Sequence, residues 1–317
     1  LNFFNNVSFV EFIMTESGEK KKVLSFHRLP RRSTMFIDSH IHLSHPSYST
    51  PFLYYSPTTH SLSTTTRSNL IEEFRSAKIS AVIEPAIELE SNERLLDLSR
   101  EYPDFVFPAV GVHPTRTPQT PWSARKQVEE WSKDKNVIAI GELGLDYHHA
   151  RREQYRLKQK LWFIWQILLA DKRNLPVILH IRLADRDAIR ILRFFKKKLH
   201  GGVCHCFTGD AETARIYTQE FGFLLGIGGY LLQGTETSRA LEEAVKETPL
   251  EFLVLETDGP YVKPKAPEGI SGKQWKKSRN TSLMVPEVAK RIAEIKGIDV
   301  EEVEQITTKN FKTHFKI

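Results

Sequence analysis

Cysteine is nearly missing from this 317-residue chain. The two present, Cys204 and Cys206, lie two apart in "GGVCHCF". A strand would hold their Cα atoms about 6.6 Å apart, near the upper limit for a disulfide. No disulfide framework is expected, which fits a reducing, cytoplasmic setting. Long apolar runs are missing as well: nothing approaches the ~20 residues of a membrane span. The opening "LNFFNNVSFVEFIM" is broken by Asn and Glu and lacks a basic leader, so it is a poor signal peptide. Acidic excess is absent too. The net charge of +6 and a pI near 9.1 lean toward an anionic partner such as nucleic acid without identifying one.

What is present is a hydrophobic content of 40%, enough for a sizeable core. Residues 1–34, with the basic segments "EKKK" and "RLPRRS", read as an N-terminal extension with no folded domain of its own. Residues 35–317 read as one domain. There, short apolar runs alternate with longer amphipathic ones, and eight runs are strand candidates: 36–42, 80–86, 105–113, 137–146, 176–181, 201–207, 221–229 and 251–258. The longest segment between them, "EQYRLKQKLWFIWQILLADKRN", repeats Leu157, Leu161, Ile164 and Leu168 at three and four residues, as one face of a helix requires. Strands separated by helical crossovers imply parallel pairing, and eight of them imply a closed (β/α)₈ TIM barrel. Two loops stand out, 44–68, rich in Ser, Thr and Pro, and 259–280; both would leave the C-terminal end of the barrel, where loops carry function.

Of the twelve histidines, His40, His42, His113, His180 and His205 fall at or near the ends of predicted strands. Glu142 lies in the fourth strand and Asp258 closes the eighth. Barrel closure would bring all of these to a single rim. Side chains alternate along a strand, so Asp38, His40 and His42 in "DSHIH" share the face turned to the barrel interior. Imidazoles and carboxylates gathered at an open rim suit a divalent cation: Zn²⁺, or Mn²⁺ or Mg²⁺ where carboxylates dominate. A lone histidine at a strand end is usually structural. The convergence is what carries the metal reading.

The motifs "DSHIH", "GVHP", "IGELGLDY", "PVILHIR", "VCHCFTG" and "LETDGPY", in this order, resemble the TatD family of metal-dependent deoxyribonucleases over about residues 36–315. The resemblance implies two divalent ions. His40 and His42 would bind one, Glu142 would bridge both, His180 and His205 would bind the second, and Asp258 would contact the first ion and the attacking water. It also implies a 3′→5′ exonuclease on single-stranded DNA, with Glu142 and Asp258 as catalytic residues and no membrane or obligate protein partner. Glu142 stands where several related amidohydrolases use a carbamylated lysine, which favours the TatD pattern.

His113 is a candidate contact for substrate phosphate, or a strand-end histidine tied to the backbone. Arg182 could grip a phosphate as a fork or form a surface ion pair. Asp38 is expected to orient a ligand imidazole, and Asp146 either to hold a ligand or to cap the next helix. In "KQWKKSR", Trp275, Lys276 and Arg279 combine base stacking with phosphate attraction, as single-stranded nucleic acid requires. Cys204 and Cys206 are expected to point away from the rim as small hydrophobes. Two rival functions remain: a metallohydrolase of a small ester, amide or lactone, and a nucleic-acid-binding protein without turnover. The 44–68 insert, with Phe52, Tyr54 and Tyr55, has no counterpart in the resemblance and is a candidate lid or stacking surface.

Overall fold

A computed structural model describes residues 8–14, 20–26 and 35–317, which fall into two units, 1–34 and 35–317. In the first, strands β1 (Ser8–Met14) and β2 (Lys20–Phe26) pair antiparallel. The basic stretch at 28–33 lies outside the described residues.

The second unit is a parallel barrel. Its strands are β3 (Phe36–Asp38), β6 (Ile79–Pro85), β7 (Val106–Val110), β8 (Ala139–Asp146), β9 (Val177–Arg182), β10 (Gly202–His205), β11 (Leu224–Ile227) and β12 (Leu253–Leu255), paired parallel in that order. The ring closes just past the ends of β3 and β12. There Ser39 N donates to Leu255 O (2.9 Å), Asp258 N to His40 O (2.8 Å) and His42 N to Gly259 O (2.8 Å). The seam that closes the barrel therefore also sets His40, His42 and Asp258 side by side.

Helices α1 (Arg67–Ser76), α2 (Ser91–Glu101), α3 (Arg125–Trp131), α4 (Glu153–Arg173), α5 (Asp185–Phe194), α6 (Ala211–Arg215) and α7 (Glu236–Glu247) fill the crossovers. After β12 come α8 (Gly272–Lys277), α9 (Val285–Lys296) and α10 (Val300–Phe315). Small and branched side chains line the barrel interior: Ile37, Ala81, Ile83, Ala109, Ala139, Ile178, Val203, Leu224 and Val254. Phe311 and Phe315 of α10 join this cluster with rings stacked 4.2 Å apart. Asn310 Nδ2 donates to Leu250 O and Leu253 O at 2.8 and 2.9 Å, and Thr308 to Met35 O, which fixes α10 across the strand beginnings. The base is plugged and the opposite end carries the polar groups. Among the described residues no helix is long and apolar enough to cross a membrane.

Two segments carry detail that the sequence left open. The insert after the first strand is a hairpin of β4 (Phe52–Ser56) and β5 (Ser61–Thr65). The stripe on α4 does form one face, but the outer one: Leu157, Leu161 and Leu168 are 58%, 48% and 41% exposed. The buried face holds Trp162, Phe163, Ile167 and two glutamines. Gln166 accepts from Val112 N (2.8 Å) and donates to Val112 O (3.1 Å); Gln159 does the same for Asp146 N (2.9 Å) and O (3.1 Å). These amides satisfy backbone groups at the ends of β7 and β8 that would otherwise be buried unpaired, so the face that carries them goes inward.

Candidate metal centre

Five imidazoles and two carboxylates meet at the rim, and Glu142 is their centre. Its Oε2 lies 3.4 Å from His40 Nε2 and 3.5 Å from His42 Nε2. Those two nitrogens are 3.2 Å apart, and Asp258 Oδ1 stands 3.8 and 3.4 Å from them. The other oxygen, Oε1, faces His205 Nε2 (3.2 Å), His180 Nδ1 (3.4 Å) and His113 Nε2 (3.7 Å). Glu142 is 2% exposed. Burial alone would raise its carboxyl pKa, but His40, His113 and His205 outweigh that and hold it well below the ordinary range.

The outer nitrogens of His42 and His180 settle what their inner ones can do. His42 Nδ1 contacts Pro85 O at 3.1 Å, and His180 Nε2 contacts Asp146 Oδ2 at 3.2 Å. A carbonyl and a carboxylate can only accept, so each outer nitrogen carries the hydrogen and each inner one presents a lone pair. His205 Nδ1 has Glu256 Oε1 at 3.3 Å, out of line for a formed hydrogen bond but on the same outward side. Lone pairs and carboxylate oxygens at 3.2–3.5 Å repel one another. A proton or a cation relieves this. Burial opposes charging His42 and His180, yet Asp258 beside the first and Asp146 beside the second, each with Glu142, push both up to about 9.

The distances fit a cation. Four donors at 2.0–2.2 Å from a tetrahedral ion would stand about 3.3–3.6 Å apart. The separations around His40, His42, Glu142 Oε2 and Asp258 run from 3.2 to 3.8 Å. His113 differs. Its Nδ1 accepts from Thr115 N (3.1 Å), so the neutral ring carries its hydrogen on Nε2, toward the cavity. Burial, with His180 adjacent, lowers its pKa to about 3 and keeps it neutral. It is built as a donor.

Asp38 does not touch an imidazole. It accepts from His40 N (3.1 Å), Thr257 N (3.1 Å), Thr257 Oγ1 (2.6 Å) and Ser282 Oγ (2.6 Å), so it fastens the closing seam of the barrel and acts on the backbone. The orienting role belongs to Asp146, which holds His180 and also His149 Nδ1 at 2.8 Å.

Two acids in the apolar runs "SAVIEPA" and "FLVLETD" were not singled out by spacing. Glu84, fully buried, accepts from Leu43 N (2.5 Å), Ser44 N (2.9 Å) and Ser44 Oγ (2.7 Å) and fixes the chain after His42. Glu256, also fully buried, accepts from Cys206 N (2.6 Å) behind His205. Their only signal in the sequence is a lone acid inside a strand.

Cys204 packs in the core as expected. Cys206 does not turn away: it follows the last residue of β10 at φ 49°, where strand alternation no longer holds, and its sulfur lies near His205 and Asp258.

A cavity of about 490 Å³ opens above the cluster, lined in part by Arg116, Tyr155, Arg182 and Tyr261 together with His113 and Asp258. Arg182 is exposed there and makes no ion pair among the described residues. The "KQWKKSR" residues lie elsewhere. Trp275 is half-buried against Tyr55 (5.7 Å between rings), its indole N–H donating to Pro264 O at 3.0 Å. Arg279 N donates to Leu53 O (2.7 Å), pinning this segment to the hairpin, and Lys276 is exposed.

A parallel barrel with buried imidazoles and carboxylates around an open cavity defines a metal-dependent hydrolase. Comparison with known proteins narrows the class. The profile of the TatD related DNase family matches residues 37–316, and the chain belongs to that family. It is 33% identical over 283 residues to the uncharacterized metal-dependent hydrolase YabD of Bacillus subtilis, covering 89% of this chain and 100% of the relative. It is 31% identical over 255 residues to the 3'-5' ssDNA/RNA exonuclease TatD of Rahnella, covering 79% and 92%. Among solved structures, the TatD homologue YJJV of Escherichia coli superposes with a TM-score of 0.74 at 24% identity, covering 90% and 100%. That likeness supports the fold.

Proposed function

We propose that the chain hydrolyses phosphodiester bonds in single-stranded nucleic acid, removing nucleotides from the 3′ end, with two divalent cations at the rim. The observation that carries the reading is the division of Glu142: Oε2 faces His40 and His42, beside which Asp258 stands, while Oε1 faces His205, His180 and, farthest, His113. His40, His42, Asp258 and Oε2 would hold one ion, and His180, His205 and Oε1 the other. When bound, such a pair acidifies water and neutralises the charge on a transferring phosphate.

The chain's own groups do the rest. Asp258 lines the cavity, and although burial raises its pKa, the facing His42, His205 and His40 hold it below the ordinary carboxylate range. It is therefore ready to accept a proton from the attacking water. His113 directs Nε2–H toward the phosphate, and Arg182 supplies a guanidinium at the cavity mouth. The exposed Lys276 and the Trp275–Arg279 segment would meet nucleotides farther along the strand. The exonuclease named among the relatives supports the substrate class.

The test is metal-stripped protein incubated with single-stranded DNA labelled at either end, with Mg²⁺, Mn²⁺ and Zn²⁺ added in turn. Stepwise shortening from the 3′ end is expected. Inertness with every ion, beside hydrolysis of a lactone, would transfer the site to small-molecule chemistry.

A further inference from the structure

Tyr261 stands over the cluster and has no part in the chemistry assigned so far. Its ring lies edge-on to His42, with 6.0 Å between centroids, and edge-on to His45 at 5.6 Å. Its backbone N–H donates to Asp258 O at 2.8 Å, so a single tight turn ties it to Asp258. The side chain is 45% exposed and lines the cavity beside His42, Arg116 and Asp258.

The direction of its hydrogen bond follows from His45. Nδ1 of that ring accepts from Ser47 N at 3.0 Å, so in the neutral imidazole the hydrogen sits on Nε2. Burial, with His42 nearby, lowers the pKa of His45 and keeps the ring neutral. Nε2 is 3.1 Å from the Tyr261 hydroxyl. The imidazole therefore donates and the phenol oxygen accepts. Had the phenol been the donor, its one hydrogen would be used up. Instead that hydrogen is left over, and among the described residues the hydroxyl has no second partner. Burial and the nearby Asp258 raise the pKa of Tyr261, so the hydrogen stays in place at neutral pH. The bond it accepts also polarises its O–H and makes it a stronger donor.

We propose that Tyr261 is a catalytic residue that donates its hydroxyl hydrogen to a non-bridging oxygen of the scissile phosphate, with His45 as its positioning residue. The inference rests on the phosphodiesterase reading of the site. Tyr261 and Arg116 line the large cavity and also a small space on its far side, of about 30 Å³, so together they form the wall between the two. The small space has room for a water molecule and none for a nucleotide. Substrate enters from the large side and meets the hydroxyl there. Asp258 takes the proton of the attacking water, and in an in-line displacement the leaving oxygen departs on the opposite side. Tyr261, one turn from Asp258, flanks the attacking side, where a non-bridging oxygen is within its reach. A hydrogen bond that strengthens as charge builds on that oxygen lowers the barrier as well as the binding energy.

Tyr261→Phe tests this, since it keeps the ring over His42 and removes the hydrogen alone. On a dinucleotide kcat should fall about 100-fold with KM little changed, as loss of an oxyanion donor does. The fall should be equal on the p-nitrophenyl ester of thymidine 5′-phosphate, whose leaving group needs no hydrogen bond. His45→Asn retains an acceptor for Ser47 N and cannot reach the phenol. It should lower kcat about tenfold alone and no further in the Tyr261→Phe background. Nitrogen-15 spectra of the histidine rings give a readout apart from activity: His45 should carry its hydrogen on Nε2. A loss on the dinucleotide that vanishes on the nitrophenyl ester would move the hydroxyl to the leaving oxygen and overturn the assignment. Additive losses in the double variant would strip His45 of its role. Full activity in Tyr261→Phe, or a His45 hydrogen on Nδ1, overturns the proposal and leaves the phosphodiesterase reading standing. A parent protein inert towards both substrates with every ion removes that reading, and this inference with it.

Discussion

Two parts of the upper rim carry the chain's conspicuous polar residues, and they are built on opposite plans. At the centre, His40, His42, Glu142, His180, His205 and Asp258 turn toward one another and leave lone pairs and carboxylate oxygens facing across gaps of 3.2–3.8 Å. At the shoulder, the hairpin β4–β5 and helix α8 satisfy their groups among themselves: Trp275 on Tyr55 and Pro264, Arg279 on Leu53, Lys263 on Ser278 O and over the Trp275 ring. A region that withholds partners from its own polar groups is prepared for a ligand. One that supplies them is prepared for rigidity.

The largest separation between the two comes from Glu142→Ala. Removing the one carboxylate shared by both sets should reduce turnover far beyond the ~10–100-fold typical of an outer partner. The circular dichroism spectrum should stay native, because Glu142 contributes to the cluster and not to a backbone bond. Near-native turnover at matched metal occupancy would remove Glu142 from the centre of the site.

Proton competition is the next effect. In the cation-free protein Asp258 and Asp146 beside the rings, with Glu142, raise His42 and His180 to about 9 against the opposing pull of burial. Below that pH both rings are protonated and must lose a proton when a cation takes the inner nitrogen. Affinity for metal should therefore fall as pH falls from 9 to 6, by about tenfold per unit for each proton displaced. Calorimetry in buffers of different ionisation enthalpy counts those protons. A pH-independent affinity would contradict the lone-pair geometry. Asp146→Asn is expected to be milder still: it loosens His180 without removing it, costing about 10–100-fold in metal affinity, with turnover restored at excess metal.

The same contrast explains how much the sequence disclosed. The central residues were legible because His40, His42, His205 and Asp258 sit at or just past strand ends while Glu142 and His180 lie within β8 and β9, and barrel closure brings these strands together whatever their separation along the chain. Glu84 and Glu256 were not, and Asp38, though singled out, meets backbone and hydroxyl groups and no imidazole, since an acid in an apolar strand does not reveal which group it will meet. The orientation of α4 was hidden for a related reason. That helix is apolar on two faces, and Gln159 and Gln166, polar in any sequence pattern, decide the matter by bonding the buried backbone of Val112 and Asp146. The hairpin was hidden because "SLSTT" in β5 lacks the alternation that marks a half-buried strand.

The smallest effect falls on the shoulder, and its dependence on substrate length is what matters. Lys276 is exposed, and Trp275 does not line the cavity over Glu142. A dinucleotide at the metal centre would not reach them, whereas a strand of a dozen nucleotides could lie across both. Lys276→Ala should therefore leave dinucleotide hydrolysis unchanged and raise KM about two- to fivefold on a long oligonucleotide, a difference that fades with added salt as a phosphate contact requires. Trp275→Ala also removes the ring that Tyr55 packs on and the donor to Pro264 O, so its effect on long substrates must be read beside a melting curve. Equal changes on short and long substrates would mean that the shoulder acts through the architecture of the rim. No change on either would leave Arg116, Tyr155 and Arg182 around the cavity as the path the strand follows.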